Sequence, residues 1–222
     1  MSFDIHQLDD VDSYADESEE AFEQYQYTLM DLFANSPEGQ ARLQVDPEMG
    51  YWAAQLVYYG YNYVGPSLPQ MTVGDVDEVV TELFPAKISL FDPDQASDAI
   101  PELIAFWQYL KREYDLPNAG AILEFLQEIE SDFEDIMNDP SRWGMAKSIF
   151  MAGQEAGFDM TDQEDVDAFI QLYNARILAQ GAGIPPPPGT PAPSDARKAR
   201  AKKKKARKAA KAARKRTRKR RR

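Results

Sequence analysis

The stretch TDQEDVDAFIQLYNARIL, residues 161–178, decides how the rest of the chain is read. Thr161 and Glu164 stand at the spacing of a capping box, in which each side chain bonds the other residue's backbone amide at a helix start. Val166, Phe169, Ile170, Tyr173 and Ile177 then recur every three or four residues, the period of one buried face of an α-helix. Gly181 is placed to stop it.

The same period runs through the upstream sequence. Phe22, Tyr25, Leu29 and Leu32 mark a first helix. Ile100, Leu103, Ile104, Trp107 and Leu110 mark another, and Ile122, Leu123, Leu126, Ile129, Phe133 and Ile136 a longer one. Thr72 and Asp75 open MTVGDVDEVVTELF with a capping pattern. Ser36-Pro37, Asp46-Pro47, Asp92-Pro93 and Asp139-Pro140 each pair an N-cap acceptor with a proline at the first helical position, where a missing amide proton costs nothing. The strand-like run KISLF, 87–91, lies between prolines and reads as an extended connector. These signals predict an all-α protein, a compact bundle of seven or eight helices without a fixed repeat.

Charge divides the chain sharply. Eighteen of the 25 Lys and Arg lie between Arg197 and Arg222, with no acid among them; residues 1–196 keep the other seven and all 37 Asp and Glu, a net −30 against +18. The segment GAGIPPPPGTPAPSDA, 181–196, separates the blocks, and its four consecutive prolines favour a semi-rigid polyproline II spacer. The expected organisation is an acidic lead-in over 1–15, a helical domain over 16–180, a Pro/Gly/Ala linker over 181–196 and a disordered polybasic tail over 197–222.

Several chemistries fall away. The chain has no cysteine, which excludes disulfides, thiolate catalysis, zinc fingers and iron–sulfur clusters. Its one histidine, His6, sits on a polar stretch, so neither a nitrogen-rich metal site nor a Ser-His-Asp triad is expected. The acidic runs 10–20, 132–140 and 159–167 lack EF-hand spacing and read as solvated faces and helix-start acids. Pairs such as Glu128 with Asp132 follow from the abundance of acids. GMAKS, 144–148, lacks the phosphate-loop spacing, which leaves Lys147 as a neutralising partner for acids or a contact for an anion. No catalytic residue, metal or cofactor is assigned. The N-terminus lacks the pattern of a signal peptide and no run is long enough to span a bilayer, so a cytoplasmic, soluble protein without membrane insertion is expected.

Aromatics concentrate at Tyr51, Trp52, Tyr58, Tyr59, Tyr61 and Tyr63, with no Lys or Arg between Arg42 and Lys87. The expectation is a helix with Trp52, Leu56 and Tyr63 inward, and with Tyr58, Tyr59 and Tyr61 as a surface for protein contact.

The tail bases are Arg197, Lys198, Arg200, Lys202, Lys203, Lys204, Lys205, Arg207, Lys208, Lys211, Arg214, Lys215, Arg216, Arg218, Lys219, Arg220, Arg221 and Arg222. Lysine and arginine hold phosphate by charge, and arginine adds bidentate geometry. Without aromatics, Asn or Gln the tail has little means to read bases, so RNA or DNA would be bound through the backbone. The tail could instead fold onto the acidic body or that of a neighbouring copy. Anionic lipid is a third reading, disfavoured because no apolar residue larger than alanine accompanies the charge. The expected function is a non-enzymatic, nucleic-acid-associated adaptor whose helical body contacts an unknown protein. The alternative is an interaction module regulated by its own tail.

FANSPEGQ (33–40), MTVGDVDEVVTELFP (71–85), PELIAFWQYLKREYDLPNA (101–119) and MNDPSRWGMAKSIFMAGQEAGFDMTDQED (137–165) together resemble an uncharacterised bacterial all-helical protein family. The likeness covers about residues 20–178. It implies a helical fold in a bacterial cytoplasm and no particular chemistry; the basic tail lies outside it.

Overall fold

A computed structural model of the chain describes residues 3–9, 17–90 and 93–179. Ten α segments are present among them: α1 (Glu17–Ala34), α2 (Pro37–Leu43), α3 (Tyr51–Tyr59), α4 (Val73–Asp77), α5 (Phe84–Lys87), α6 (Ala99–Tyr114), α7 (Ala119–Ile129), α8 (Phe133–Asn138), α9 (Met145–Glu155) and α10 (Gln163–Ala179). A π turn at Gly60–Val64 extends α3, a π turn at Glu78–Leu83 joins α4 to α5 and a 3-10 turn at Glu130–Asp132 joins α7 to α8, so the segments form eight continuous helical runs. No strand occurs among the described residues, and the all-α class is the one the periodicity predicts.

Contacts divide the helices into two compact units that meet in sequence between Arg142 and Trp143, where the sequence reads as one helical domain over 16–180. In the first unit α6 is central because its sequence is apolar on more than one side. Ile100, Leu103, Phe106, Trp107 and Leu110 are all fully buried, and α2, α3 and α7 pack around them. Lys111 and Arg112 occupy its last turn, where cations complement the helix dipole. Arg112 also reaches Glu38 in the first turn of α2 through two bonds, of 2.7 and 3.1 Å. This guanidinium holds the Glu38 carboxyl below its usual range.

On α1, Phe22, Tyr25, Leu29 and Phe33 form the inward face. Leu32, expected on that face, is only half-buried. Tyr25 donates its hydroxyl to the Ile5 carbonyl at 3.1 Å. Ile5 and Leu8 are thereby core residues, and the start of the expected acidic lead-in is a strap packed on the bundle.

Local sequence explains some of the helix starts. Ser36 caps α2 by accepting the Gly39 amide, and Thr72 with Asp75 forms the expected capping box on α4. Three expected starts are turns instead. Asp46 accepts the Glu48 amide and α3 begins only at Tyr51, Asp139-Pro140 opens a single 3-10 turn, and Pro93 opens another over Pro93–Ala96, its expected cap Asp92 lying outside the described residues. Of KISLF, Ile88 to Leu90 are irregular backbone. The long helix expected from Ile122 to Ile136 is interrupted by the 3-10 turn between α7 and α8, which brings Met137 inward with Phe133.

Proline accounts for the π turn before α5. Pro85 has no amide hydrogen to offer the preceding turn, where the Thr81 carbonyl lies four residues back. The helix widens there, Phe84 donates five residues back to Val79, and Arg142 fills the Thr81 carbonyl at 2.9 Å.

The second unit is described by α9 and α10. Phe158 and Phe169 meet at 5.5 Å and Phe169 and Tyr173 at 6.0 Å. The expected Thr161–Glu164 box is not formed: the Thr161 hydroxyl bonds Asp159, and Asp162 caps α10 by accepting the amides of Glu164 and Asp165. The expected buried face is also narrower. Phe169 is buried and Val166 and Tyr173 are half-buried, but Ile170 is exposed, a departure for which the local sequence gives no physical reason. The side chain of Ile177 lies outside those described.

Candidate functional site

Residues 49–74 contain no Asp, Glu, Lys or Arg, in a chain that is 28% charged. Its helical part is α3 and the following π turn. Tyr51, Gln55 and Tyr59 fall at i, i+4 spacing on α3, and ring contact with Tyr59 adds Tyr63 to their row. The ring centroids of Tyr59 and Tyr63 are 5.2 Å apart, those of Tyr58 and Tyr59 5.2 Å, and those of Tyr58 and Tyr63 6.1 Å. The planes are inclined by 56–76°, so the rings form ridges rather than a flat stack. Tyr59 also leans on Phe84 at 6.1 Å, and Lys87 Nζ lies 5.1 Å from the Tyr63 ring centre. Burial and the neighbouring phenols of Tyr63, Tyr51 and Tyr58 push the Tyr59 hydroxyl up to about 12.

The π turn corrects the expected facing. In an unbroken α-helix Tyr63 would follow Trp52 and Leu56 into the core. Here the Gly65 amide donates to Gly60 at 2.7 Å, five residues back, and the extra residue rotates the register. Tyr61 turns inward instead, 5% exposed, stacked on Phe22 at 5.0 Å with planes 9° apart. Tyr63 turns out, 40% exposed. Glycine gives the turn's start close contact with Met71, since a Cβ on Gly60 would stand 2.0 Å from Met71 Cε and force that methyl to move. The exposed tyrosines are therefore Tyr51, Tyr58 and Tyr63, with Tyr59 half-buried between them; Tyr61 is not at the surface.

A second polar site lies at the start of the same helix. The N-cap residue of α3 is Gly50 at φ 112°, which has no side chain to cap with. Glu102 on α6 fills that role from 49 residues away, its Oε1 accepting the Ala53 amide at 2.7 Å. The carboxyl is fully buried, and its Oε2 has no hydrogen-bond partner. Burial pushes it up to about 7, with Asp46 adding to the rise and the amides of Ala53 and Gly50 and the charge of Arg42 opposing it. Arg42 pairs with Asp98. Sequence reading missed Glu102 because an acid in the first turn of a helix looks like a dipole partner. The available signal was its position four residues before Phe106, on an apolar side.

Lys147 is buried in α9, its Nζ 5.2 Å from the Trp143 ring centre, and burial lowers it to about 8. The acids of 159–167 serve local backbone: Asp159 accepts from Thr161, Asp165 from the Asp159 amide and Asp162 from α10. Glu128 and Asp132 are both exposed. His6 bonds Asp9 at 3.0 Å. A wide-mouthed surface depression of about 610 Å³ is lined by Gln7, Glu20, Ala21, Glu23, Gln24 and Tyr27, with no residue of the tyrosine row in its lining. Among the described residues no cluster of three or more His, Asp or Glu is placed to hold a metal ion, and no helix is long and apolar enough to cross a membrane.

The eighteen basic residues from Arg197 to Arg222 lie outside the described residues. Five of the seven bases before them are engaged within the body: Arg42 with Asp98, Arg112 with Glu38 and Glu113, Arg142 with Asp139, Lys87 over Tyr63 and Lys147 over Trp143. Comparison of the chain with protein-family models, curated proteins and solved structures gave no match.

Proposed function

We propose that the chain is a non-enzymatic, nucleic-acid-associated adaptor of the cytoplasm, whose tail from Arg197 to Arg222 holds RNA or DNA through phosphate while the helical body contacts a protein. The observation that carries this reading is the division of charge: eighteen bases without an acid follow a body whose few cations are mostly engaged internally. The densest run of cations open to a polyanion is therefore the tail. Neutralising phosphates releases condensed counterions, so affinity falls steeply as salt rises. The proposal also takes the kinship with bacterial helical proteins as the chain's origin, which adds no chemistry to it.

The test titrates the full chain, and a chain ending at residue 180, against single- and double-stranded oligonucleotides across a salt series. Salt-sensitive binding by the full chain, lost on truncation and indifferent to base sequence, is expected. Equal affinity of the two chains would refute the assignment. The excess of 37 acids over seven bases in residues 1–196 favours one alternative, in which the tail folds onto the body. Small-angle scattering separates the two, because a body-bound tail expands as salt rises and a free tail is already extended.

A further inference from the structure

The tyrosine row on α3 and its π turn has the chemistry of a surface that receives a proline-rich strand. From Tyr51 to Tyr63 the row spans about 18 Å at the helical rise of ~1.5 Å per residue. A polyproline II strand rises ~3.1 Å per residue, so about six residues would lie along it. Prolines dock on aromatic side chains set at angles to one another, whose ridges leave slots for the pyrrolidine rings. The rings of Tyr58, Tyr59 and Tyr63 are inclined in this way, with centroids 5.2–6.1 Å apart.

Hydrogen-bonding character also matches. Proline carries a carbonyl acceptor and no amide donor, so its receiving surface must be rich in donors. The exposed phenols of Tyr51 and Tyr58 and the ammonium of Lys87 beside Tyr63 supply them. Charge gives the third match. The segment IPPPPGTPAP, 184–193, carries no charged residue, and neither do residues 49–74, in a chain where charge is otherwise dense. A neutral strand lies on a tyrosine-rich patch whose nearby ion, Lys87, is exposed and acts as a donor, and tyrosine is enriched in interface cores.

We propose that the row formed by Tyr51, Tyr58, Tyr59 and Tyr63 is a docking surface for the proline run Pro185–Pro188 of a second copy of this chain. Four consecutive prolines are already restricted to the bound backbone shape, so docking costs little ordering entropy. The contact would bring copies together and present their basic tails side by side. It does not depend on what those tails hold.

The probe is a fluorescent peptide of residues 183–193, GIPPPPGTPAP. It is titrated by anisotropy against the full-length chain carrying Pro→Ser at 185–188, which removes self-competition. Saturable binding is expected, about tenfold or more weaker when Tyr58→Ala and Tyr63→Ala are added. Both side chains are substantially exposed, so the fold should survive, as far-UV circular dichroism would verify. Tyr58→Phe and Tyr63→Phe, which keep the rings, should retain most of the affinity. Sedimentation of the unaltered chain should show concentration-dependent association that the proline variant loses. Absence of saturable binding, or binding indifferent to the tyrosines, would overturn the site. A chain that stays monomeric at every concentration while its variant binds the peptide would overturn the second copy as occupant and point to another proline-rich chain.

Discussion

At the scale of a single residue, Glu102 carries the sharpest consequence. Its carboxyl caps α3, yet it is fully buried and held near 7 against an ordinary value of 4.5. Between those values the folded chain holds a proton that the unfolded chain has released. Stability is therefore greatest below pH 4.5 as far as this group is concerned, falls as pH rises through about 7, and is flat beyond. The loss over that window is about 3 kcal/mol for one proton. Glu102→Gln keeps an oxygen for the Ala53 amide and cannot ionise. Urea unfolding from pH 4.5 to 8 should show the wild-type decline and a flatter profile for the variant, which should be the more stable of the two at pH 8. The lowered carboxyls of Glu38, Asp139 and Asp159 act below pH 4.5 and with the opposite sign, so they do not imitate the effect. An unchanged slope in the variant would show that Glu102 is ionised in the folded protein throughout.

At the scale of the element, legibility followed the distance over which each signal acts. Ile100, Leu103, Trp107 and Leu110 of α6, and Phe22, Tyr25 and Leu29 of α1, were readable because an amphipathic period is local and 3.6 residues long, whereas Ile104, expected inward, is half-buried and the buried Phe106 was not foreseen. The Thr72–Asp75 box was readable for the same reason, since its partners are three residues apart. Tyr61 and Tyr63 were exchanged because a π turn adds a residue that no 3.6 period anticipates. The Glu102 cap could not be found from the sequence around Gly50, because its acceptor comes from another helix. Thr161 lost its capping role to the adjacent Asp162, two equivalent acceptors one residue apart. The π turn before Pro85 has a tertiary counterpart in Arg142, and the pair supports a test. Arg142→Ala should cost about 1 kcal/mol by leaving the Thr81 carbonyl without its protein donor. Pro85→Ala restores a backbone donor, so the arginine substitution should cost less in that background. Denaturation of the four chains of this double-mutant cycle measures the coupling. Additive effects would mean that Arg142 acts only through Asp139.

At the scale of the whole molecule, the charge division was legible from composition alone, whereas which tyrosines reach the surface required the register of α3. The two charge blocks make salt act in opposite directions on two measurable quantities. Residues 1–196 carry a net −30, and like charges repel most strongly when the chain is compact. Screening shortens from about 8 Å at physiological ionic strength to about 3 Å at 1 M, so added sodium chloride should raise the melting temperature of the body. The same salt should lower oligonucleotide affinity, with a log–log slope that becomes shallower by about 0.7–0.9 for each phosphate contact removed from the tail. A free tail predicts that the full chain and the chain ending at residue 180 gain thermal stability in parallel as salt rises. A tail resting on the acidic body would neutralise it at low salt and be released at high salt, so the full chain would start more stable and converge on the truncated one. Melting curves of both chains between 0.05 and 1 M salt, beside the binding series, therefore decide whether the eighteen bases are held for an external polyanion or kept by the chain itself.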